Sequence, residues 1–546
     1  MDKKKNFKFK NKDFGKKLFS DSKFSRPMQK AVEITIEEIP KDSKGKAFIF
    51  SGTIDRIVQT GGPTVFYITD GTGTLPLKAF GGAGIRSYPE LVEGDAITAT
   101  VELSEFRDET EGEVQSLKKL EGEDKKAFIK KLADIERKRA SIIPPEFLVK
   151  SVILDKLRSR YIQAAEEIRL AIIQNRPVIV RHHNDADGYS SGYALERAIL
   201  PLIEKQHGFG KSAWEFFSRA PCAAPFYEID DSIRDTANSL RNVAKFSNKM
   251  PLIVIADNGS SPEDLMAIKQ GKVHGMDFIV VDHHYFDEDV ISSEVLVHIN
   301  PFLVGEDGAK FSAGMLCVEL ARFINSDVRN VEQIAGMAGL ADRIDNPDVI
   351  DSYLRIAKEK GYSKELLFEI SAVIDFVSAK LRFMEAREYI EVLFGEPMKQ
   401  QKALVALLAP HIRKLESKGL TIAKSTAEIE KIGKTSLQSI DIGKTFPGFG
   451  FYPKPGKCVG LIHDYARDEK KISNLVSIGI MDTAVTIRAT DEANFSVHEL
   501  IEFLDKKLPA AFVEGGGHKN AGSITFIPIK QQDVLRNLKE YIKSKQ

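Results

Sequence analysis

Two textures of apolar and polar positions divide the chain. Between about Lys46 and Glu102 the runs are short, KAFIFSGTIDRIV, TVFYITD, LPLKAF and AITATVEL, and rich in β-branched and aromatic residues. Gly61-Gly62-Pro63, Asp70-Gly71-Thr72-Gly73 and Glu93-Gly94-Asp95 separate them, and this turn chemistry predicts four or five strands in a small barrel. The order of strands and turns resembles an OB-fold, a barrel that commonly binds single strands. Phe66, Tyr67 and Phe80 suit either its interior or a stacking face. Residues 113–172 are densely charged with helical period, broken at Pro144-Pro145, and predict a helical connector.

From residue 176 the pattern changes. RPVIV, PLIVIAD, DFIVVDHH and VLVHIN are continuous apolar runs, several of them separated by helical stretches such as YSSGYALERAIL. Strands apolar on both faces and joined by helices predict a mostly parallel sheet covered on two sides. Beyond about 350 the chain reads as helical, and the last stretch mixes strands (VSIGIMD, AVTIRAT, GSITFIPI) with helices. The fold class expected is therefore α/β, preceded by a barrel. The domains expected are an arm at 1–40, a barrel at 41–112, the connector at 113–172, a parallel-sheet domain at 173–395 and a smaller α/β domain at 396–546.

Composition narrows the function classes. A chain of 546 residues allows three or four domains at roughly 150 residues each. No apolar run approaches the ~18 residues a membrane helix needs, and MDKKKNFKFK has no apolar segment after its charges, so neither a membrane span nor a secretory signal is expected. Cys222, Cys317 and Cys458 lie far apart without a CxxC, which argues against a disulfide scaffold or cysteine zinc site and fits a reducing cytoplasm. Acidic and basic residues balance at 78 each, but residues 1–30 carry eleven Lys/Arg against three Asp. Phe7, Phe9, Phe14, Phe19 and Phe24 are interleaved with those charges. Such an arm grips nucleic acid or is simply a solvated tail.

The candidate chemistry sits just after the apolar runs. One ends in Arg181-His182-His183-Asn184-Asp185-Ala186-Asp187-Gly188, another in Asp257-Asn258-Gly259, a third in Asp282-His283-His284. In an open α/β sheet, ligands bind at the carboxyl ends of the strands. A single DxD is an ordinary cap or turn, but three such clusters are hard to ascribe to turn chemistry. Carboxylates gathered there repel unless cations neutralise them. Mixed Asp/His ligation without thiolates suits Mn²⁺ or Mg²⁺, and two such ions are a standard device for hydrolysing phosphoesters. Gly433-Lys434-Thr435 and Gly443-Lys444-Thr445 are not P-loops, because Glu428 and Gln438 stand where the loop needs glycine.

HNDADG at 183–188, ADNGS at 256–260, VDHH at 281–284 and GLADRID at 339–345 resemble, in order, the four motifs of the DHH phosphoesterase superfamily. Gly515-Gly516-Gly517-His518 followed by KNAGSI is similar to the signature of the DHHA1 domain. With a barrel in front, the arrangement most resembles the archaeal RecJ-like exonucleases. The resemblance implies two divalent ions, Mn²⁺ preferred and Mg²⁺ second, held by His183, Asp185, Asp187, Asp257, His283 and Asp342, with Asp257 the bridge. It implies that Asp282 orients a histidine and that His284 faces the phosphate, with His284, Asp257 and Asp187 catalytic. His518, the amides of Gly515, Gly516 and Gly517, and Arg488 would contact a phosphate or 5′ end.

The function implied is 5′→3′ exonucleolytic cleavage of single-stranded DNA or RNA by a two-metal mechanism, in DNA repair or replication. Two alternatives stand beside it. One is a phosphodiesterase acting on very short RNAs, 3′-phosphoadenosine phosphate or cyclic dinucleotides. The other is a replisome-associated, Cdc45-like scaffold with residual nuclease activity.

Overall fold

The structure, a computed structural model, describes residues 31–546 apart from 83, 107–108, 208–209, 211, 223, 247–248, 382–385 and 447–450. The five interleaved phenylalanines of the basic arm lie outside the described residues. Among the described residues, no helix is long and apolar enough to cross a membrane. The chain forms two compact units, divided near Ile129.

The first unit is a barrel of β1 (Ala47–Gln59), β2 (Thr64–Thr69), β3 (Thr74–Ala79), β4 (Ala96–Phe106) and β5 (Glu109–Lys119). The strands run β1-β2-β3-β5-β4, and β4 returns to pair with β1, which closes the sheet in the order of an OB-fold. Phe50, Phe66, Ile68, Leu77, Val101 and Leu103 fill it. Phe66 is core and Tyr67 half-buried under Arg56, whereas Phe80 is 70% exposed. The barrel runs past the expected boundary at 112, because β5 occupies part of the stretch read as helical connector. Its sheltered residues include Gly112, Val114 and Leu117 with a buried Glu111 paired to Lys78, and a bulge opposite Thr100 and Val101 breaks the alternation that would have disclosed a strand. Helix begins at Gly122, with α1 (Gly122–Ala140) and α2 (Val152–Ile173).

The second unit holds two sheets. The first comprises β6 (Val178–His182), β7 (Phe217–Pro221), β8 (Leu252–Ala256), β9 (Asp277–Val281) and β10 (Val297–Ile299), all parallel, in the order β10-β9-β8-β6-β7. All five residues of β8 are buried, as its unbroken apolar run requires. Between β6 and β8 the winding reverses direction, and a crevice opens at such a switch point. Helices α3 (Ala186–His207), α4 (Ile229–Phe246), α5 (Pro262–Val273), α6 (Ala313–Ile324) and α7 (Glu332–Ala341) cover this sheet and its edges. Two long helices, α8 (Lys364–Leu381) and α9 (Met398–Thr426), then lead through β11 (Glu428–Ile432) and β12 (Thr435–Asp441) to α10 (Pro455–Asp468). The remaining strands are β13 (Leu475–Ile480), β14 (Ala484–Ala489), β15 (Glu514–His518) and β16 (Ala521–Thr525), giving a mixed sheet in the order β11-β12-β13-β14-β16-β15.

One buried ion pair anchors the strand that leads into the first Asp/His cluster. Arg181 on β6 donates from Nε to Asp235 Oδ2 at 2.9 Å and from Nη1 to the Pro221 carbonyl at 3.2 Å, tying the sheet to α4. Asp235→Asn leaves the guanidinium short of a counter-charge. It is expected to cost about 3 kcal/mol, the lower end for a broken buried pair, because Asp231 remains 3.5 Å from Arg181. A urea unfolding midpoint reads this directly.

Candidate metal centre and cleft

Strand register sets the site. His182 pairs with Ala256, and Ala256 pairs with Val281. The next residues, His183, Asp257 and Asp282, therefore leave three neighbouring strands at one level, and His183 and Asp257 flank the switch point. Asp257 takes φ 59°, in the left-handed region that Asp tolerates better than most residues, and its N–H donates to the Val281 carbonyl at 2.9 Å. After His183 the chain folds back so tightly into α3 that a Cβ at Gly188 would sit 2.2 Å from the His183 carbonyl oxygen. Only glycine fits there. Its N–H donates to Asp185 Oδ1 at 2.9 Å, fixing the DxD turn. Asp342 joins from the C-terminal end of α7.

These side chains share one cavity. His183 Nδ1 lies 2.9 Å from Asp185 Oδ2 and 3.6 Å from Asp257 Oδ2. On the other side of Asp257, His283 Nε2 lies 3.4 Å from its Oδ1 and 3.3 Å from Asp342 Oδ2. Asp257 thus stands between two half-clusters, His183–Asp185 and Asp187–His283–Asp342, each of three potential ligands once Asp257 is counted with the first.

The electrostatics ask for cations. Asp187 and Asp257 are each only 2% exposed, yet among the described residues Asp187 Oδ2 and Asp257 Oδ2 have no hydrogen-bond partner. Burial, then the charges of Asp257 and Asp342, push the Asp187 carboxyl well up toward neutrality. Burial likewise raises Asp342, with Asp257 adding to it against the pull of His283. Burial works against charge on His183 and His283, but Asp185 and Asp257 around the first, and Asp342 and Asp257 around the second, raise both well above the usual imidazole range. Acids driven toward neutral and imidazoles driven toward charged are one demand for positive charge. Divalent ions would meet it, and the oxygen and imidazole donors fit Mn²⁺ or Mg²⁺.

Asp282 does different work. Its Oδ1 accepts from His284 Nδ1 at 2.7 Å, His283 N at 2.8 Å and His284 N at 3.2 Å, and its Oδ2 from Ser260 N at 3.2 Å. Burial opposes its charge, but the His284 contact and these donors hold it far below the usual carboxylate range. His284 is thereby fixed in orientation with Nε2 left for a ligand. Asn300 secures the same loop, donating to the His284 carbonyl at 3.0 Å and to Ser260 Oγ at 2.9 Å.

The opposite wall comes from the last sheet. His518, at the end of β15, stacks on His284 with ring centroids 4.7 Å apart and places Nε2 3.9 Å from Asp342 Oδ2. The triple glycine forms an edge strand, not a turn. Gly516 and Gly517 line the cleft, and a Cβ on Gly516 would meet nothing within 4 Å, so there is room beside its Cα. Gly515 does not line the cleft: a Cβ there would strike the Ser523 carbonyl at 2.3 Å, so it serves the packing of β15 on β16. Arg488 on β14 lines the cleft too, and no hydrogen bond or ion pair engages its guanidinium among the described residues.

Three further groups carry no sequence motif. Asp375 on α8 accepts the Ala186 N–H at 2.9 Å and so caps α3 beside the DxD turn. Lys454 donates to the Asn184 carbonyl at 2.9 Å and Ser378 Oγ at 3.1 Å, and the Gly314 N–H holds Asp187 Oδ1 at 3.1 Å. Each stands alone in its segment, with no spacing that would single it out.

Comparison with known proteins agrees with this architecture. No protein-family model matches the chain. An uncharacterised protein of Methanocaldococcus jannaschii, MJ1198, is 34% identical over 524 residues, covering 90% of this chain and 68% of that one. The solved DHH domain of PF0399, described as a member of the s1p family of ribosomal proteins, is also 34% identical, with a TM-score of 0.71 over 77% of this chain and 98% of that one. The chain belongs to the DHH superfamily. Its fold is RecJ-like: RecJ of Thermus thermophilus in complex with Mn²⁺ superimposes with a TM-score of 0.50 at 16% identity, covering 73% of this chain and 56% of that one.

Proposed function

We propose that this chain is a metal-dependent phosphodiesterase, an exonuclease that degrades single-stranded DNA or RNA from the 5′ end. The observation that carries this reading is the pair of buried carboxylate oxygens on Asp187 and Asp257 that accept no hydrogen bond among the described residues, inside a cluster whose open side faces His518 and Arg488. His183, Asp185, Asp187, Asp257, His283 and Asp342 would hold two divalent ions, with Mn²⁺ favoured over Mg²⁺ by the imidazoles in the donor set. Ions bound there would lower the pKa of water and draw charge from a phosphoryl oxygen. Asp282 keeps His284 oriented so that Nε2–H donates to the phosphoryl oxygen on which charge develops. Arg488 and the glycine edge at Gly516 and Gly517 receive the neighbouring or terminal phosphate, and His518, kept neutral by burial and by the adjacent His284 and His283, completes that wall.

The barrel gives the protein a second surface suited to single strands, which favours a polymer over a dinucleotide as substrate. Three buried free cysteines fit work in a reducing cytoplasm. The test uses 5′- and 3′-labelled single strands of DNA and RNA, with a dinucleotide and 3′-phosphoadenosine phosphate alongside. Mononucleotides are expected from the 5′ end in Mn²⁺, none after EDTA, and recovery when Mn²⁺ is restored. Intact strands beside hydrolysed small substrates would move the assignment to short-oligonucleotide turnover. No cleavage of any substrate in Mn²⁺ would favour a scaffold that accompanies a helicase.

A further inference from the structure

The cleft continues well past the acidic and imidazole cluster. It is one cavity of about 1020 Å³. That is at the upper limit of the roughly 300–1,000 Å³ that enclose a drug-sized ligand, so a single nucleotide leaves much of it unfilled. Helix α8 lines the extension. Phe368, Ala372 and Asp375 follow one another at four and three residues, so they form one stripe facing the cavity. Asp375 marks the near end, through its bond to Ala186 beside the DxD turn. Phe368 lies about 10 Å further along the helix axis, seven residues at 1.5 Å each. Ala409 and Ile412 of α9 line the same extension.

At its open end this arm carries one large exposed ring, Phe368, with the exposed Lys364 and Glu365 beside it on the same turn of α8. Phe368 is 57% exposed, a large ring turned into a ligand cavity rather than into core. Deeper in, Glu369 pairs with Arg413, and Glu416 lies 3.5 Å from Lys457 and accepts from Tyr452 Oη at 3.2 Å. A ligand here offers a flat apolar face while remaining covalently joined to a phosphodiester at the metal cluster. A nucleobase of the same strand does both.

Resting on the exonuclease reading above, we infer that Phe368 forms a base-stacking subsite that holds the substrate strand beyond its scissile linkage. The distance corresponds to about three base steps at the 3.4 Å spacing of a stacked strand. The subsite makes the enzyme a reader of strand length: a substrate too short to reach Phe368 forgoes the stacking contact.

Trp214 is the single tryptophan of the chain, which permits a direct optical test. In the full-length double variant Trp214→Phe, Phe368→Trp, the indole at 368 is the sole reporter. A ten-residue phosphorothioate DNA strand added in Mg²⁺ is expected to quench its emission, with the midpoint given by anisotropy of the labelled strand. Phe368→Ala is expected to raise KM for a ten-residue DNA about 5- to 150-fold, the range of one lost base–aromatic stack, with the loss falling on KM rather than kcat. Phe368→Trp restores KM. An unquenched indole while anisotropy reports bound strand, or an unchanged KM in Phe368→Ala, overturns the subsite. Absence of strand cleavage by the unsubstituted protein overturns the exonuclease reading instead, and the quenching result then still decides whether bases stack at 368.

Discussion

Asp257→Asn is expected to lower hydrolysis of single strands by about 10³-fold or more while leaving the fold intact. The reasoning is geometric. Asp257 Oδ2 faces His183 at 3.6 Å and Oδ1 faces His283 at 3.4 Å, so one carboxylate serves both halves of the cluster. An amide keeps the volume but places a donor where the half-clusters need an acceptor. The stability effect is small by comparison. Removing the charge relieves the repulsion of Asp187 and Asp342 but forgoes the attraction of His183 and His283, so without metal the variant should melt close to the parent. Added Mn²⁺ should stabilise the parent through binding to the folded state, and the variant far less. Loss of activity together with a collapsed melting transition would mean that Asp257 supports the fold and not the chemistry.

Asp282→Asn is expected to lower activity by about 10- to 100-fold, the usual cost of losing a partner that orients a ligand. Asp282 takes four hydrogen bonds at distances from 2.7 to 3.2 Å, all from donors. An asparagine accepts on one side only, and its NH₂ must face either the Ser260 N–H or the His284 group. The loop that carries His283 and His284 then loses its anchor, and the buried donor left over costs about 1–3 kcal/mol in stability. Metal affinity and kcat should fall together. A variant with parental kcat and Mn²⁺ affinity would show that His284 needs no such tether.

Much of this was legible in the sequence for physical reasons that can be named. Strands such as β8 are buried on both faces, so their unbroken apolar runs stand out, and the register of a parallel sheet brings the residues after them to one level. The positions of His183, Asp257 and Asp282 follow from that alone. What escaped lacks such a rule. Strand β5 is a charged ribbon with a bulge, so its composition resembles that of a solvated helix. Asp375 and Lys454 reach the site from single positions on helix α8 and just before α10, across nearly 190 and 270 residues of chain. The glycine run points to close backbone approach in sequence. Only the pairing of β15 with β16 separates Gly515, packed on its neighbour, from Gly516, open to the cleft.

The most direct measurement is a Mn²⁺ titration by calorimetry, paired with anomalous diffraction from Mn²⁺-soaked crystals. Two ions per chain are expected, both among His183, Asp185, Asp187, Asp257, His283 and Asp342, with the second lost or greatly weakened in Asp257→Asn. Saturating Mn²⁺ that leaves this cluster without anomalous signal would contradict the assignment of the cleft as a phosphodiester-cleaving centre.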